Sequence, residues 1–281
     1  MLLNKTTDTV TFLWLLCLMF HMGSSVTIAQ LVGSLKKGAI IWKGLATNLL
    51  LVPFVAFLLL LLFKPHPLVA AGFLMGVVFS GAPMGPPFTA LAKGDVPLSI
   101  GLMVILAALS TVISPAVLKL LMAGFEQGKP LDVNYLKIMK VVALGQLLPL
   151  SAGLALNHWQ PAVVRKITGP LRILNNFLVL GACSLIILTN YQTLALFGWR
   201  AMVGSVVLFS TCLAIGWIMG GDHKGEKKAL ALNTTVRNAP AALVVASTNF
   251  AGTAAPAAVF AYSLFTILGT LASAYFMGRR P

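Results

Sequence analysis

Acidic residues are scarce in this 281-residue chain, which has 6 aspartates and glutamates against 20 lysines and arginines. Charged residues of either sign make up 9% of the sequence, whereas a soluble domain carries about a quarter. This deficit excludes an ordinary soluble fold, and the hydrophobic content of 58% indicates an all-α polytopic protein of the lipid bilayer. The basic residues form short clusters between apolar runs, which is typical of cytoplasmic loops and not of a nucleic-acid-binding surface.

Cysteines and catalytic motifs are also few. The three cysteines, Cys17, Cys183 and Cys212, stand alone within apolar runs, so neither a disulfide framework nor a metal site is predicted. The sequence has no HExxH or GxSxG motif and no pair of acids within an apolar run, so no enzymatic activity and no cofactor are expected. All the acids fall in predicted loops or at predicted helix ends: Asp8, Asp95, Glu126, Asp132, Asp222 and Glu226.

Nine apolar runs predict about nine transmembrane helices, since one crossing takes roughly 20 residues. The first run is too long for the hydrophobic part of a signal peptide and is expected to be a span. The third is interrupted by SGAPMGPPFTA (80–90) and the eighth by RNAP (237–240). The predicted spans are 10–31, 39–63, 68–92, 96–122, 138–157, 171–190, 197–219, 228–250 and 255–277.

The distribution of basic residues predicts the orientation. With the N-terminus outside, twelve lysines and arginines fall in loops on the inside and six on the outside, while Lys119 and Arg237 lie within spans. We therefore expect a multi-pass protein of the cell (inner) membrane with a cytoplasmic C-terminus. The broken spans 3 and 8 hold corresponding places in the first four and the last five spans, which predicts an inverted repeat of the kind found in secondary transporters.

The eighth span contains a charge in the middle of the membrane. Arg237 lies in NTTVRNAPAALVVA (233–246), and a charge at that depth costs from roughly 2.5 kcal/mol upward. Pro240 interrupts the helix, and broken helices border the binding sites of many transporters. The pattern predicts an anion site, where Arg237 either anchors a substrate carboxylate through its planar fork of donors or is a structural lock bonded to backbone carbonyl groups.

Polar residues and prolines near the two interruptions are further candidates for substrate binding. Asn233, Thr234 and Asn238 are expected to line a cavity beside Arg237, although hydrogen bonds between helices would also explain them. Pro83 and Pro86 are expected to break the third span and to expose the positive end of a half-helix to the anion.

Several stretches resemble the bile acid:sodium symporter family. The strongest are LAKGDVPLSIGLMVILAALSTVISP (91–115), similar to the region after that family's first crossing helix, and ALNTTVRNAPAALVVA (231–246), at its second. Two earlier helices are matched by FHMGSSVTIAQLVGSLKK (20–37) and ATNLLLVPFVAFLLLLLF (46–63). The resemblance implies one transporter domain over 1–281, with a core of spans within 39–122 and 197–277 and a panel of spans within 10–31 and 138–190.

The resemblance also implies sodium sites that this chain has altered. Asn233 and Arg237 fall where a glutamate and a glutamine of the family ligate sodium, Met103 replaces a threonine, Asn48 replaces a glutamine, and Ser99 is kept. Sodium prefers hard oxygen ligands, which a thioether and a guanidinium cannot supply. Ser99, Asn48 and Asn233 remain as candidate ion ligands.

A serine–asparagine pair of the family falls near Phe88, so Phe88 and Asn48 join the candidates for substrate binding. The predicted function is a secondary transporter that moves a small organic anion, either a carboxylate or a bile-acid-like molecule, by alternating access. Coupling to Na⁺ or H⁺ stays open. The alternatives are a non-transporting receptor or scaffold of the same fold and a sodium-coupled symporter with altered ligands.

Overall fold

The computed structural model describes residues 2–125, 134–195, 199–250 and 252–279, and the regular structure in these ranges is helical. Long apolar segments favour this outcome, because a backbone in lipid must satisfy its hydrogen bonds within one segment. The helices are α1 (Leu2–Ser24), α2 (Ile28–Leu35), α3 (Gly38–Ala46), α4 (Val52–Phe63), α5 (Pro67–Val78), α6 (Gly85–Leu91), α7 (Val96–Met122), α8 (Tyr135–Val142), α9 (Leu148–Trp159), α10 (Pro161–Ala195), α11 (Trp199–Met219), α12 (Lys224–Thr235), α13 (Ala239–Asn249) and α14 (Ala254–Arg279).

In the described ranges, six helices are long and apolar enough to cross a membrane, namely α3–α4, α7, α8–α9, α10, α11 and α14. Two of them continue through a π turn, at Thr47–Leu51 between α3 and α4 and at Ala143–Leu147 between α8 and α9. The bent pair α1/α2 gives a seventh crossing if it counts as one span. The all-α polytopic membrane fold is confirmed, whereas the count of nine and the inverted repeat stay predictions.

The first predicted span, 10–31, turns a corner. α1 ends at Ser24, and α2 starts at Ile28 with its axis at 78° to α1. Thr27 explains the new start, because its Oγ1 accepts from the Gln30 backbone N–H at 3.2 Å while Gln30 Oε1 accepts from the Thr27 backbone N–H at 2.9 Å. This capping box begins a new helix inside the apolar run, so the predicted span 10–31 contains a bend that the sequence analysis did not predict.

One later predicted boundary differs, and another falls outside the described ranges. α10 begins at Pro161, ten residues before the predicted span 171–190, so its first turns carry basic residues that were assigned to a loop. Proline at the first position of a helix is favourable, because the N–H that it lacks would have no acceptor within the helix. The predicted span 197–219 corresponds to α11, and its first two residues lie outside the described ranges.

Both predicted interruptions are breaks between helices. α5 and α6 are separated by residues 79–84, and α12 and α13 by residues 236–238. Pro86 and Pro240 are each the second residue of the helix that follows the break, where a missing backbone N–H costs little. Asn238 caps α13, since its Oδ1 accepts from the Ala241 backbone N–H at 3.3 Å.

Gly81 lets the first break pass close to α7. Its φ of +81° lies in the left-handed region, and a Cβ there would lie 2.2 Å from the backbone nitrogen of Ala107. Any larger residue would combine backbone strain with a backbone clash. The glycine therefore fixes how closely this break approaches its neighbour.

The two breaks meet, and we call residues 79–84 and 236–238 together the crossing. The Asn238 backbone N–H donates to the Phe79 carbonyl at 2.9 Å, while α5 packs against α13 and α6 against α12. On one side of the crossing, α1 packs along α9 and α10, and we call α1, α8–α9 and α10 the three-helix layer. The layer contacts the remaining helices through α7, α13 and α14.

Candidate functional site

A cavity of about 280 Å³ lies between the three-helix layer and the crossing. Trp14 and Asn175 line it from the layer, while Pro83, Arg237 and Pro240 line it from the two breaks. The rest of the lining is mainly apolar. Small-molecule sites are typically about 300–1,000 Å³, so this cavity is at the small end of that range.

Both half-helices that start at the crossing direct their positive ends toward this region. α6 has few free donors there, because the Gly85 N–H is bonded to the Ala82 carbonyl and the next two residues are prolines. In α13, the N–H groups of Ala241 and Ala242 are bonded to Asn238. The two helix ends therefore attract an anion mainly through their electrostatic potential, because few of their N–H groups are free to donate a hydrogen bond.

Arg237 is 2% exposed in the second break. Its Nη1 donates to Asn48 Oδ1 at 3.0 Å, and Asn48 is held in turn because its Nδ2 donates to the Gly44 carbonyl at 2.9 Å and to Thr234 Oγ1 at 3.3 Å. Arg237 Nε and Nη2 make no hydrogen bond of standard geometry to the described residues, although the thiol of Cys212, a weak acceptor, interacts with this side chain. A buried charge normally requires stronger partners than a thiol.

Three residues from other helices interact with this guanidinium. They are Asn48 in the π turn of α3–α4, Cys212 of α11 and Tyr262 of α14. None of these three is among the described residues that line the cavity, although Arg237 itself is. Arg237 therefore links the cavity lining to a polar group outside it.

Arg237 also has no ionic partner. It forms no ion pair with the acids of the described ranges, and Glu126 and Asp132 lie outside those ranges. An uncompensated charge of this kind makes the crossing electropositive.

A second polar group surrounds Asn233. Its Nδ2 donates to Ser99 Oγ at 2.6 Å and to the Ala229 carbonyl at 2.8 Å, and Ser99 Oγ also accepts from Thr89 Oγ1 at 3.0 Å. A Cβ on Gly85 would lie 2.3 Å from Asn233 Oδ1, so α6 packs tightly against α12 here. The structure thus brings the candidate ion ligands Asn233 and Ser99 into contact, while Asn48 belongs to the Arg237 group.

The predicted substrate-binding residues divide between the cavity and its surroundings. Pro83 and Arg237 line the cavity, and the others lie outside its lining. Phe88 packs instead in an apolar cluster with Leu232 and Val236. The remaining residues are buried around the breaks: Asn48, Pro86, Asn233, Thr234 and Asn238.

Gln146 is a residue at the crossing that the sequence analysis missed. It lies in the π turn of α8–α9, is fully buried, and accepts from Asn238 Nδ2 at 2.8 Å. Its Nε2 donates to Ser110 Oγ at 3.1 Å and to the Ala107 carbonyl. A lone amide in the apolar stretch ALGQLL (143–148) was the available signal.

A separate ion-pair cluster lies away from the crossing. Lys37 Nζ contacts the Asp95 carboxylate and pairs with Glu226 Oε1 at 2.8 Å, while Asp95 Oδ1 caps α7 by accepting from the Leu98 N–H at 3.0 Å. These contacts join the corner between α2 and α3 to the starts of α7 and α12. The hydrogen bond to Asp95, followed by that to Glu226, raises the pKa of the Lys37 amine.

The sequence of this chain is similar to that of a curated plant protein. "Probable sodium/metabolite cotransporter BASS1, chloroplastic" from Arabidopsis thaliana is 24% identical over 261 residues. The alignment covers 91% of this chain and 64% of that protein, so the chain spans about two thirds of the length of the curated relative it matches. The likeness extends across both broken spans.

The family comparison covers most of the chain. The model described as "Sodium Bile acid symporter family" matches residues 12–196, which run from α1 through α10 and include the first break. The second break, which contains Arg237, lies beyond that match. This chain belongs to the sodium bile acid symporter family.

Proposed function

We propose that this protein is a secondary transporter that moves a small organic anion by alternating access and does not use sodium at the positions familiar in its family. The observation that carries the proposal is the buried guanidinium of Arg237, bonded to Asn48 where two broken helices cross. The cavity beside this crossing lies between two groups of helices, which is where alternating access requires a substrate site.

The three-helix layer is the proposed panel, and the remaining helices, which contain both broken spans, are the proposed core. This division supports alternating access, because the cavity has walls from both groups and a relative movement would open it to one side at a time. We place the protein in the cell membrane with its N-terminus outside, on the basis of the distribution of basic residues.

Arg237 is the proposed resident cation of the crossing. Its charge lies where the family resemblance expects a sodium ligand, so it would supply permanently the positive charge that a bound sodium ion supplies in relatives. The hydrogen bond from Asn233 Nδ2 to Ser99 Oγ supports this view, because an amide donor, not an oxygen ligand, then faces Ser99.

The proposed substrate is a small monocarboxylate with an apolar body. The volume of about 280 Å³ and the mainly apolar lining favour such a molecule over one as large as a bile acid. The carboxylate would lie near the starts of α6 and α13. The positive ends of these helices and the charge of Arg237 would attract it. Direct contact with the unpartnered Nε and Nη2 would require the guanidinium to reach the cavity.

A sodium-coupled symporter with altered ligands is the second candidate, and the similarity to a probable sodium/metabolite cotransporter of Arabidopsis favours it. A non-transporting receptor of the same fold is the third. Binding and uptake measurements on purified protein in liposomes distinguish these three candidate functions. Oxo-acids and pantothenate-like carboxylates are offered as substrates, and binding and uptake are compared in sodium and in potassium at equal ionic strength.

Uptake at equal rates in the two salts is the expected result. A steep requirement for sodium would refute the proposed independence and support the symporter. Tight binding without uptake, under either ionic gradient, would support the receptor.

A further inference from the structure

We propose that Gln146 is a positioning residue that joins the three-helix layer to the crossing and holds the conformation seen here. This inference rests on the proposed function, because it gives Gln146 a part in the movement of panel against core. It concerns a residue outside the altered sodium positions, on a helix that the sequence analysis assigned to the panel alone.

The amide of Gln146 makes bonds to two different parts of the proposed core. Its Oε1 accepts from Asn238 Nδ2 at 2.8 Å, in the second break. Its Nε2 donates to Ser110 Oγ at 3.1 Å and to the Ala107 carbonyl, both on α7. The side chain is fully buried, so water cannot replace these partners without a conformational change.

A π turn places this amide. The turn Ala143–Leu147 ends two residues before Pro149, which cannot donate to the helical ladder. The same arrangement occurs in α3–α4, where the turn Thr47–Leu51 ends two residues before Pro53. Each π turn presents one amide side chain to the second break, Gln146 to Asn238 and Asn48 to Arg237. Such turns are frequent at functional sites.

Asn238 is the junction that Gln146 holds. Its backbone N–H joins the two breaks by donating to the Phe79 carbonyl at 2.9 Å, and its Oδ1 caps α13 by accepting from Ala241 at 3.3 Å. The bond from Asn238 Nδ2 to Gln146 fixes the orientation in which the amide can act as that cap. Loss of Gln146 would therefore loosen the start of α13 and leave a buried donor unpaired.

The layer also contacts the other end of α13. Lys137 Nζ donates to the Thr248 carbonyl at 3.1 Å, and the Asp8 carboxylate faces the Ser247 hydroxyl. In the predicted orientation α13 is the outer half of the second broken span. The conformation with these contacts is therefore closed on the outer side, and opening it would separate Gln146 from Asn238.

Distances between spin labels in the full-length protein in lipid nanodiscs test this role. Leu136 of α8 and Leu62 of α4, which are 60% and 74% exposed, are changed to cysteine in a background without the three native cysteines. Gln146→Leu removes the bonds at similar size. It is expected to raise the population with the longer outer distance by about 5- to 150-fold, the range that corresponds to losing buried hydrogen bonds.

Asn157→Leu is the matched control. Asn157 lies on α9, which follows the π turn of Gln146, but its Nδ2 donates to the Val26 carbonyl at 2.9 Å, at the corner that follows α1 of the same layer. This variant is expected to lower stability without changing the distance populations. In an Asn238→Ala background, Gln146→Leu is expected to have a smaller effect than in the wild type, because the bond between the two residues is already lost and only the bonds of Gln146 to α7 remain to be removed.

The outcomes separate this inference from the proposed function. Two distance populations in the wild type that Gln146→Leu leaves unchanged would overturn the role of Gln146 and leave alternating access intact. An equal shift in Asn157→Leu would also overturn it, since general destabilisation would then explain the change. A single distance in every variant, with or without added pantothenate, would overturn alternating access and this inference with it.

Discussion

Replacement of Arg237 by methionine and by lysine distinguishes two ways in which this charge can act on an anion. Methionine keeps most of the volume and removes the charge, while lysine keeps the charge and loses the planar fork of donors. If the guanidinium contacts the carboxylate directly, both variants should bind poorly. If it acts through the wall of the cavity, lysine should retain most of the affinity.

We expect the second result, because Arg237 Nη1 is bonded to Asn48 Oδ1, and Asn48 is not among the described residues that line the cavity. Two unit charges about 8 Å apart, at an effective dielectric constant of about 20, interact by about 2 kcal/mol. Arg237→Met should therefore weaken binding by about 30-fold, and Arg237→Lys by less than about fivefold. A direct, desolvated pair would cost about 2–5 kcal/mol in either variant.

Equilibrium binding of a carboxylate that the wild type transports provides the assay, with the melting temperature as a check on folding. Arg165→Met is the matched control, since Arg165 is exposed near the start of α10. Equal losses in the lysine and methionine variants would refute the argument from the cavity wall and establish a direct contact. Full affinity in a folded Arg237→Met protein would show that this charge does not attract the substrate.

Three further predictions follow from individual contacts. By the family resemblance, the double variant Asn233→Glu/Arg237→Gln introduces the residue types expected to ligate sodium. Its melting temperature should then rise in sodium relative to potassium, while the wild type responds equally to both. An equal response in the double variant would show that these positions do not form a sodium site. Gly81→Ala should lower the melting temperature through backbone strain and the clash with Ala107. Gly33→Ala is the control and should not lower it, because nothing lies within 4 Å of the added Cβ. Equal melting temperatures of the two variants would refute the requirement for glycine at position 81. The pKa of Lys37 is raised, so its ion pairs stabilise the fold fully below its ordinary pKa of about 10.4 and are lost as the pH rises above that value. The difference in stability between the wild type and Lys37→Met should therefore be constant from pH 7 to 9. It should shrink only at higher pH.

The breaks could be predicted from the sequence because their causes are local. Pro86 and Pro240 interrupt apolar runs by removing a backbone donor, and Asn238 is a favoured cap immediately before the second of them. The corner after α1 was also encoded locally, in Thr27 and Gln30, but an average of hydropathy over the run does not register a two-residue capping box.

The partners of the buried polar residues could not be predicted in this way. Gln146 and Asn238 are 92 residues apart, and Arg237 and Asn48 are 189 apart, so their contacts depend on how four helices pack. Cys212 gave no signal either, because a single cysteine in an apolar run is typical of packing. The residue types alone predicted a site near the second break. The residues that line the cavity could be identified only from the three-dimensional structure.

The sizes of Asn48 and Arg237, two residues proposed to replace sodium ligands, fit one coordinated change. By the family resemblance, Asn48 is shorter by one methylene than the glutamine it replaces, and Arg237 is longer than the glutamine it replaces. The two meet at 3.0 Å, so the longer residue occupies space that the shorter one leaves. Lengthening Asn48 to glutamine in the present chain would force the guanidinium out of a fully buried position, because packed interiors accommodate added methylenes poorly. Restoring one sodium ligand should therefore destabilise the crossing unless Arg237 is changed with it.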